Sequence, residues 1–355
     1  PLTSSPMTYS ITVQPSGRAF VARDDETILA AAIRQGVAMP YGCRDGACGS
    51  CKCRVLEGRL EQRAHQPAAL SAQERSAGYV LACCSVALGD LVLESRQTLR
   101  TDALPVRSRL ARVVRSETRS PDVRVLTLQL PANDPMPYRA GQYLDVLLRD
   151  GSRRSYSMAN APSHGPQIEL HLRHMPGGRF TDRVFGAMKE REILRVEGPY
   201  GSFFLRDDTA RPIVLLASGT GFAPIKAVIE QMLHSGITRP AVLYWGGRRP
   251  ADLYLADWVR ARSAEWPGLG FVPVVSDALP EDRWAGRTGF VHHAVIEDFP
   301  DLSAHQVYVC GAPVVVESAR RDFIGRCHLP EDEFFADAFT TEKDKASART
   351  PVEIG

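Results

Sequence analysis

Long apolar runs are missing from this chain. None in its 355 residues approaches the ~20 apolar residues that a membrane-spanning helix needs. A dominant charge is missing too. Lys and Arg total 43 against 41 Asp and Glu, a formal net charge of +2, which argues against a dedicated nucleic-acid or membrane surface. No internal repeat is visible. The first residues, 1–6, are polar and lack the apolar core of a secretory signal, so the reducing cytoplasm is the expected compartment. Cysteine is sparse for a disulfide scaffold: eight are spread over 355 residues. What remains is an ordinary globular composition, 44% hydrophobic and 24% charged, of a length that suits two or three domains.

The cysteines that are present are not scattered evenly. Cys43, Cys48 and Cys51 stand in Tyr41-Gly42-Cys43-Arg44-Asp45-Gly46-Ala47-Cys48-Gly49-Ser50-Cys51, a C-x4-C-x2-C run, and Cys83 follows in Val80-Leu81-Ala82-Cys83. This is the plant-type spacing for a [2Fe–2S] cluster. Two irons bridged by two sulfides need four thiolates around a small planar core. A tight loop supplies three, and Gly42, Gly46 and Gly49 let it curl with backbone N–H groups near the sulfurs. Zinc is the main rival, because C-x2-C is a common zinc spacing, but a zinc ribbon wants a second close pair and Cys83-Cys84 is a poor one. The fourth ligand is open between those two neighbours on spacing alone. Resemblance to plant-type ferredoxins selects Cys83, because these carry an Asp seven residues after the ligand, and Asp90 stands there. Cys53, Cys84 and Cys327 are then expected to be small core residues.

The expected fold class is multidomain, α+β and α/β. Residues 8–95 read as two strands about a Pro15-Ser16-Gly17 turn, a helix over 27–33, the cysteine loop and a closing strand. Residues 96–105 read as a linker, and 106–206 carry short alternating runs that suit a six-stranded antiparallel β-barrel. In 207–340, strand-like and helix-like runs alternate, as in a parallel-sheet domain. Residues 341–355 read as a polar tail.

Two motifs in the later segments point to cofactors. Arg154-Ser155-Tyr156-Ser157 matches the R-x-Y-S motif of flavoproteins of the ferredoxin–NAD(P) reductase type. The resemblance implies that Arg154 holds a cofactor phosphate, Tyr156 packs on the isoalloxazine, and Ser157 hydrogen-bonds flavin N5. Arg139-Ala140-Gly141-Gln142-Tyr143 precedes the motif as in that family, and Gly198-Pro199-Tyr200-Gly201-Ser202-Phe203 resembles its closing turn. Gly177, Gly178 and Thr181, at the start of an expected helix, are candidates for a pyrophosphate, which favours FAD over FMN. Further on, Ser218-Gly219-Thr220-Gly221-Phe222-Ala223-Pro224 follows a strand and opens a helix. Pro224 occupies the third glycine position of the Rossmann fingerprint, a departure that is usual in the reductase family. There Cys310-Gly311 would lie beside the nicotinamide, and Phe339 resembles the aromatic that covers the flavin. Ser276-Asp277 stands where NADPH users often carry Ser-Arg. An acid there would repel a 2′-phosphate, although Arg248 and Arg249 argue the other way, so NADH is the expected donor and NADPH the lesser one.

Together the three segments resemble the iron–sulfur flavoprotein reductases. These fuse a β-grasp ferredoxin to flavin and nicotinamide domains, and the resemblance covers residues 8–340. The family serves ring-hydroxylating dioxygenases, soluble di-iron monooxygenases and CDP-6-deoxy-delta-3,4-glucoseen reduction. It implies an oxidoreductase that takes hydride from NADH, splits the electron pair at FAD, and passes single electrons through the cluster to a protein acceptor. That acceptor would be an oxygenase component or a sugar dehydrase. A partner-independent flavin or ferric reductase is the alternative, and a monomer with no nucleic-acid or membrane partner is expected.

Overall fold

In the computed structural model, residues 6–349 are described. The chain divides into two compact units, Pro1–Pro105 with Asp337–Gly355, and Val106–Ala336. Among the described residues no helix is long and apolar enough to cross a membrane.

The first unit starts with strands β1 (Thr8–Gln14) and β2 (Arg18–Arg23), which pair antiparallel across the expected turn. Alternation decides their faces: Ile11, Val13, Phe20 and Ala22 point into the core. Helix α1 (Ile28–Arg34) begins where the Thr27 hydroxyl accepts from the Ala30 N–H, and it buries Ile28, Leu29, Ala31 and Ala32. Next come β3 (Lys52–Glu57), β4 (Leu60–Gln62), α2 (Ala72–Ser76), β5 (Tyr79–Leu81), β6 (Ser85–Ala87) and β7 (Leu91–Glu94). The main sheet runs in the order β2-β1-β7-β3-β5 and is mixed, since β1 and β7 are parallel. The stretch read as a linker lies down on this unit. Leu99 N donates to Ala38 O at 3.1 Å and Ala103 N to Gly36 O at 2.8 Å.

The second unit holds two six-stranded sheets. Strands β8 (Arg107–Ser120), β9 (Val123–Gln129), β10 (Tyr143–Leu147), β11 (Arg153–Ser157) and β12 (Gln167–Arg173) are followed by α3 (Arg179–Phe185) and β13 (Ile193–Tyr200). These strands form an antiparallel sheet in the order β11-β10-β13-β8-β9-β12. One face is apolar, with Val113, Leu128, Leu144, Val146, Leu170 and Val196 fully buried. Then come β14 (Ile213–Ser218), α4 (Phe222–His234), β15 (Ala241–Gly247), α5 (Ala256–Glu265), β16 (Leu269–Val275), β17 (Arg287–Thr288), α6 (Val291–Asp298), β18 (Gln306–Gly311), α7 (Pro313–Gly325) and β19 (Phe334–Ala338). Their sheet has the order β17-β16-β15-β14-β18-β19, parallel from β17 to β18. The continuous apolar run of β14 is what a strand covered on both faces requires.

From Asp337 onward the chain belongs with the first unit. The span expected to be a plain polar tail contains helix α8 (Glu342–Arg349). Thr341 and Asp344 explain it: Thr341 N and Oγ1 donate to the Asp344 carboxylate, and Asp344 N donates back to Thr341 Oγ1. Residues 350–355 of that tail lie outside the described residues.

Candidate functional site

The cysteine loop is shaped by backbone that side chains resist. Arg44, Gly46 and Gly49 all have left-handed φ, at 65°, 73° and 75°. A Cβ on Gly49 would stand 2.9 Å from Ala69 O, and one on Gly46 would stand 2.6 Å from Cys84 Sγ. The curl aims backbone donors at sulfur. Asp45 N and Ala47 N each reach Cys43 Sγ at 3.4 Å, and Cys43 N reaches Cys48 Sγ at 3.3 Å. The hydrogen bond that Cys43 and Cys48 share lowers the pKa of the Cys48 thiol and raises that of Cys43. Cys83 lies in the 3-10 turn after β5 and shares hydrogen bonds with Cys51 and Cys84. Four cysteines, two of whose sulfurs already accept N–H groups of the loop, fit a [2Fe–2S] cluster.

Around the loop stand residues that sequence reasoning missed. Asp337 is buried in the same unit, with Oδ1 3.4 Å from the position of a Cβ on Gly42. Burial, with the Cys48 charge nearby, pushes its carboxyl up to about 7. Lys345 pairs with Asp45 at 3.3 Å, and Gln66 donates to Asp344 O at 2.8 Å, so α8 is tied to the loop. Phe339 follows β19 and is half-buried.

In the second unit, β11 pairs antiparallel with β10, matching Tyr143 to Ser157 and Asp145 to Ser155. Pleating puts Arg154 and Tyr156 on one face and Ser155 on the other, where its hydroxyl donates to Asp145 at 2.7 Å. The Tyr156 ring leans on Phe180, with centroids 5.5 Å apart. Ser157 is 5% exposed, and its hydroxyl has no hydrogen-bond partner among the described residues. A buried hydroxyl without a partner costs stability, and a flavin ring nitrogen would satisfy it. The Gly177–Thr181 turn is more self-contained. Thr181 Oγ1 donates to Met175 O at 3.0 Å, and Gly177 N donates to Asp182 at 3.1 Å.

Strands β15 and β18 flank β14 on opposite sides, so the chain winds away from β14 in two directions. Such a switch point leaves a ligand crevice at the carboxyl ends of the strands. Ser218, Gly219, Thr220 and Gly221 fill one lip, Cys310 and Gly311 the other. The lips nearly touch: a Cβ on Gly221 would stand 2.2 Å from Cys310 O, and one on Gly311 would stand 2.7 Å from Ser218 Cβ. Pro224 sits in the first turn of α4, where its missing N–H costs nothing. Arg173, at the end of β12, was also missed from sequence. Its Nη2 lies 3.4 Å from the position of a Cβ on Gly219, and it pairs with Asp252 at 3.1 Å and Asp122 at 3.3 Å. Ser276 and Asp277 follow β16, and their N–H groups donate to Gly247 O and Arg248 O, each at 2.9 Å.

A buried polar network joins β12 to α4. Lys226, 5% exposed, reaches Ala159 O at 3.1 Å, Glu169 at 3.1 Å and Glu230 at 2.7 Å. His171 Nε2 faces Glu169 at 2.7 Å, and Glu230 accepts from Ala161 N at 2.9 Å. The signal was available in β12, where Glu169, His171 and Arg173 alternate with the buried Ile168, Leu170 and Leu172. Among the described residues His292, His293 and Asp322 also cluster, but Arg321 engages both Asp322 oxygens, at 3.1 and 3.3 Å.

Comparison with known proteins bears on all three regions. Residues 11–88 match the 2Fe-2S iron-sulfur cluster binding domain, 110–205 the oxidoreductase FAD-binding domain, and 215–321 the oxidoreductase NAD-binding domain. The chain is 38% identical over 337 residues to a CDP-6-deoxy-L-threo-D-glycero-4-hexulose-3-dehydrase reductase of Yersinia pestis, covering 95% of this chain and 100% of that one. It is 35% identical over 346 residues to a phenol 2-monooxygenase reductase component of Pseudomonas sp. (strain CF600), covering 96% and 97%. A solved Amycolatopsis cytochrome P450 reductase superposes with a TM-score of 0.76 at 33% identity, over 94% of this chain and 99% of that one.

Proposed function

This chain belongs to the iron–sulfur flavoprotein reductases, and we propose that it takes hydride from NADH and delivers single electrons to a protein acceptor. It is an NAD(P)H-dependent electron-transfer reductase that uses a [2Fe–2S] cluster, FAD and NAD(H). The observation that carries the site assignment is the buried, unpartnered Ser157 hydroxyl. Ser157 ends the strand that carries Arg154 and Tyr156, and flavin N5 is the partner assigned to it in this reading.

Bound FAD supplies two-electron acceptance and one-electron release. The residues of the chain do the rest. Arg154 offers a charged fork for a phosphate, and Tyr156 and Phe180 give a ring surface. Gly219, Thr220 and Gly221 let the dinucleotide backbone approach the start of α4, and the Arg173 guanidinium, paired with Asp122 and Asp252, lies beside that turn. Cys310 and Gly311 form the facing lip. Cys43, Cys48, Cys51 and Cys83 hold the irons, and the N–H donors of the loop lower the negative charge on sulfur. Closure of the antiparallel sheet into a barrel fits this reading, because Met158 bridges to Leu170 between its edge strands.

The acceptor is an oxygenase component or a sugar dehydrase, as for the relatives at 35% and 38% identity. Anaerobic titration with NADH tests the carrier chain. Loss of the flavin band followed by bleaching of the cluster is expected. Zinc in place of iron, or a protein without flavin colour after reconstitution, would sink it. Reconstitution with a phenol hydroxylase and with a 4-hexulose-3-dehydrase separates the two acceptors.

A further inference from the structure

We propose that Asp282 sets the choice of NADH over NADPH by holding Arg249 away from the adenosine end of the nucleotide site. The inference rests on reading the β14/β18 crevice as that site. A dinucleotide with its pyrophosphate over Gly219–Gly221 extends one end toward β18 and Cys310. The other end passes over the carboxyl ends of β15 and β16. Those ends carry Arg248, Arg249, Ser276 and Asp277, stitched together by Ser276 N to Gly247 O and Asp277 N to Arg248 O.

NADPH differs from NADH by one phosphate on the adenosine ribose. Selecting it takes a cationic fork, and arginine is the residue best shaped for that. Two arginines are at hand, yet neither is available as a fork. Arg249 Nε and Nη2 each lie 2.8 Å from an oxygen of Asp282, a bidentate pair that uses the donor face a phosphate would need. Asp282 is itself anchored, ending the 3-10 turn Pro280–Asp282 and accepting from Leu279 N at 2.8 Å. Its side chain is only 17% exposed. Arg248 is placed differently. Its side chain is 81% exposed and meets Asp277 at 3.5 Å, a loose pair in water. So the arginine that is held in place is neutralised, and the other is not held. Asp252 holds the backbone of the two arginines, accepting from the N–H groups of Arg248 and Arg249 at 2.8 and 3.0 Å, while its other oxygen pairs with Arg173 at 3.1 Å. Asp282 is therefore a positioning residue, acting through Arg249 rather than on the nucleotide.

The test uses the holoenzyme, with ferricyanide as acceptor, and compares kcat/KM for NADH and NADPH. Asp282→Ala frees Arg249. Asp282→Asn keeps an acceptor for Leu279 N should the alanine variant lose the turn. The expected result is a rise of about tenfold in kcat/KM for NADPH, carried by KM, with NADH changed by less than about twofold. The double variant Arg249→Ala/Asp282→Ala should lose the gain. Unchanged NADPH use in both Asp282 variants would overturn the proposal. So would a parallel fall with both nucleotides, or a gain that survives in the double variant. A wild-type preference for NADPH would instead overturn the NADH reading beneath it, and shows before any substitution is made.

Discussion

The Tyr254 hydroxyl donates to Nδ1 of His171 across 2.8 Å. The direction follows from the other ring nitrogen. Nε2 faces the Glu169 carboxylate at 2.7 Å and must carry a hydrogen, and burial keeps the imidazole neutral by lowering its pKa. Tyr254 also sets its ring edge-on to Trp245 and Phe222, which stack 3.9 Å apart beneath the Gly219 turn. One side chain thus ties a strand of the antiparallel sheet to the aromatic pair beneath the Gly219 turn.

Tyr254→Phe keeps the ring and removes this bond, leaving Nδ1 of His171 buried without a donor. We predict a loss of about 1–2 kcal/mol in unfolding free energy. Urea melts of wild type and variant measure it, and superimposable curves would show that the bond contributes nothing.

Glu169 makes the network pH-dependent. Burial raises its pKa, but the hydrogen bond from His171 and the charge and hydrogen bond of Lys226 overcome this and bring the carboxyl to about 2, against an ordinary 4.5. Between these values the unfolded chain binds the proton and the folded one does not, so acid favours unfolding. The stabilisation is complete above pH 4.5 and fades as pH falls toward 2. Glu169→Gln should therefore cost about 2 kcal/mol at pH 7, with the deficit shrinking below the unfolded pKa. Chemical melts at several pH values check this, and a pH-independent deficit would refute it.

Ser157→Ala removes a hydroxyl that has no partner among the described residues. The flavin-free protein should lose almost no stability, whereas reduction of bound flavin by NADH should slow by about tenfold or more. Stopped-flow absorbance paired with thermal melts separates the two effects. An unslowed reduction would remove Ser157 from the site.

The fourth cluster ligand is decided by a paired substitution. Cys83 and Cys84 place their sulfurs 3.6 Å apart, and Cys84 packs against Gly46 of the loop. Cys83→Ser should abolish the visible cluster spectrum and iron content after anaerobic reconstitution, and Cys84→Ser should retain both. The opposite pattern would assign Cys84.

Much of this was legible in advance because it depends on local pattern. The β1–β2 hairpin followed from alternation and a Pro-Ser-Gly turn, and the cluster loop followed from cysteine spacing and glycine. Pro224 read correctly as a first-turn residue of α4. The features missed are pairings between distant positions. Asp337 lies far along the chain from Cys48, and Arg173 and Gly219 meet only because β12 ends beside the start of α4. The helix in the tail was hidden differently, since its stretch is polar and the Thr341–Asp344 cap is a weak signal without an apolar face.

By itself, then, the sequence determined the kinds of chemistry this protein carries and their order along the chain. Thiolate spacing, a strand motif and a Gly-rich turn are short-range properties that survive without knowledge of contacts. Only the tertiary structure decided which charges are available. Arg248 and Arg249 are equal in sequence, yet Asp282 neutralises one and water screens the other. Charge acts through distance and burial, and both are set by how separate strands and turns are brought together.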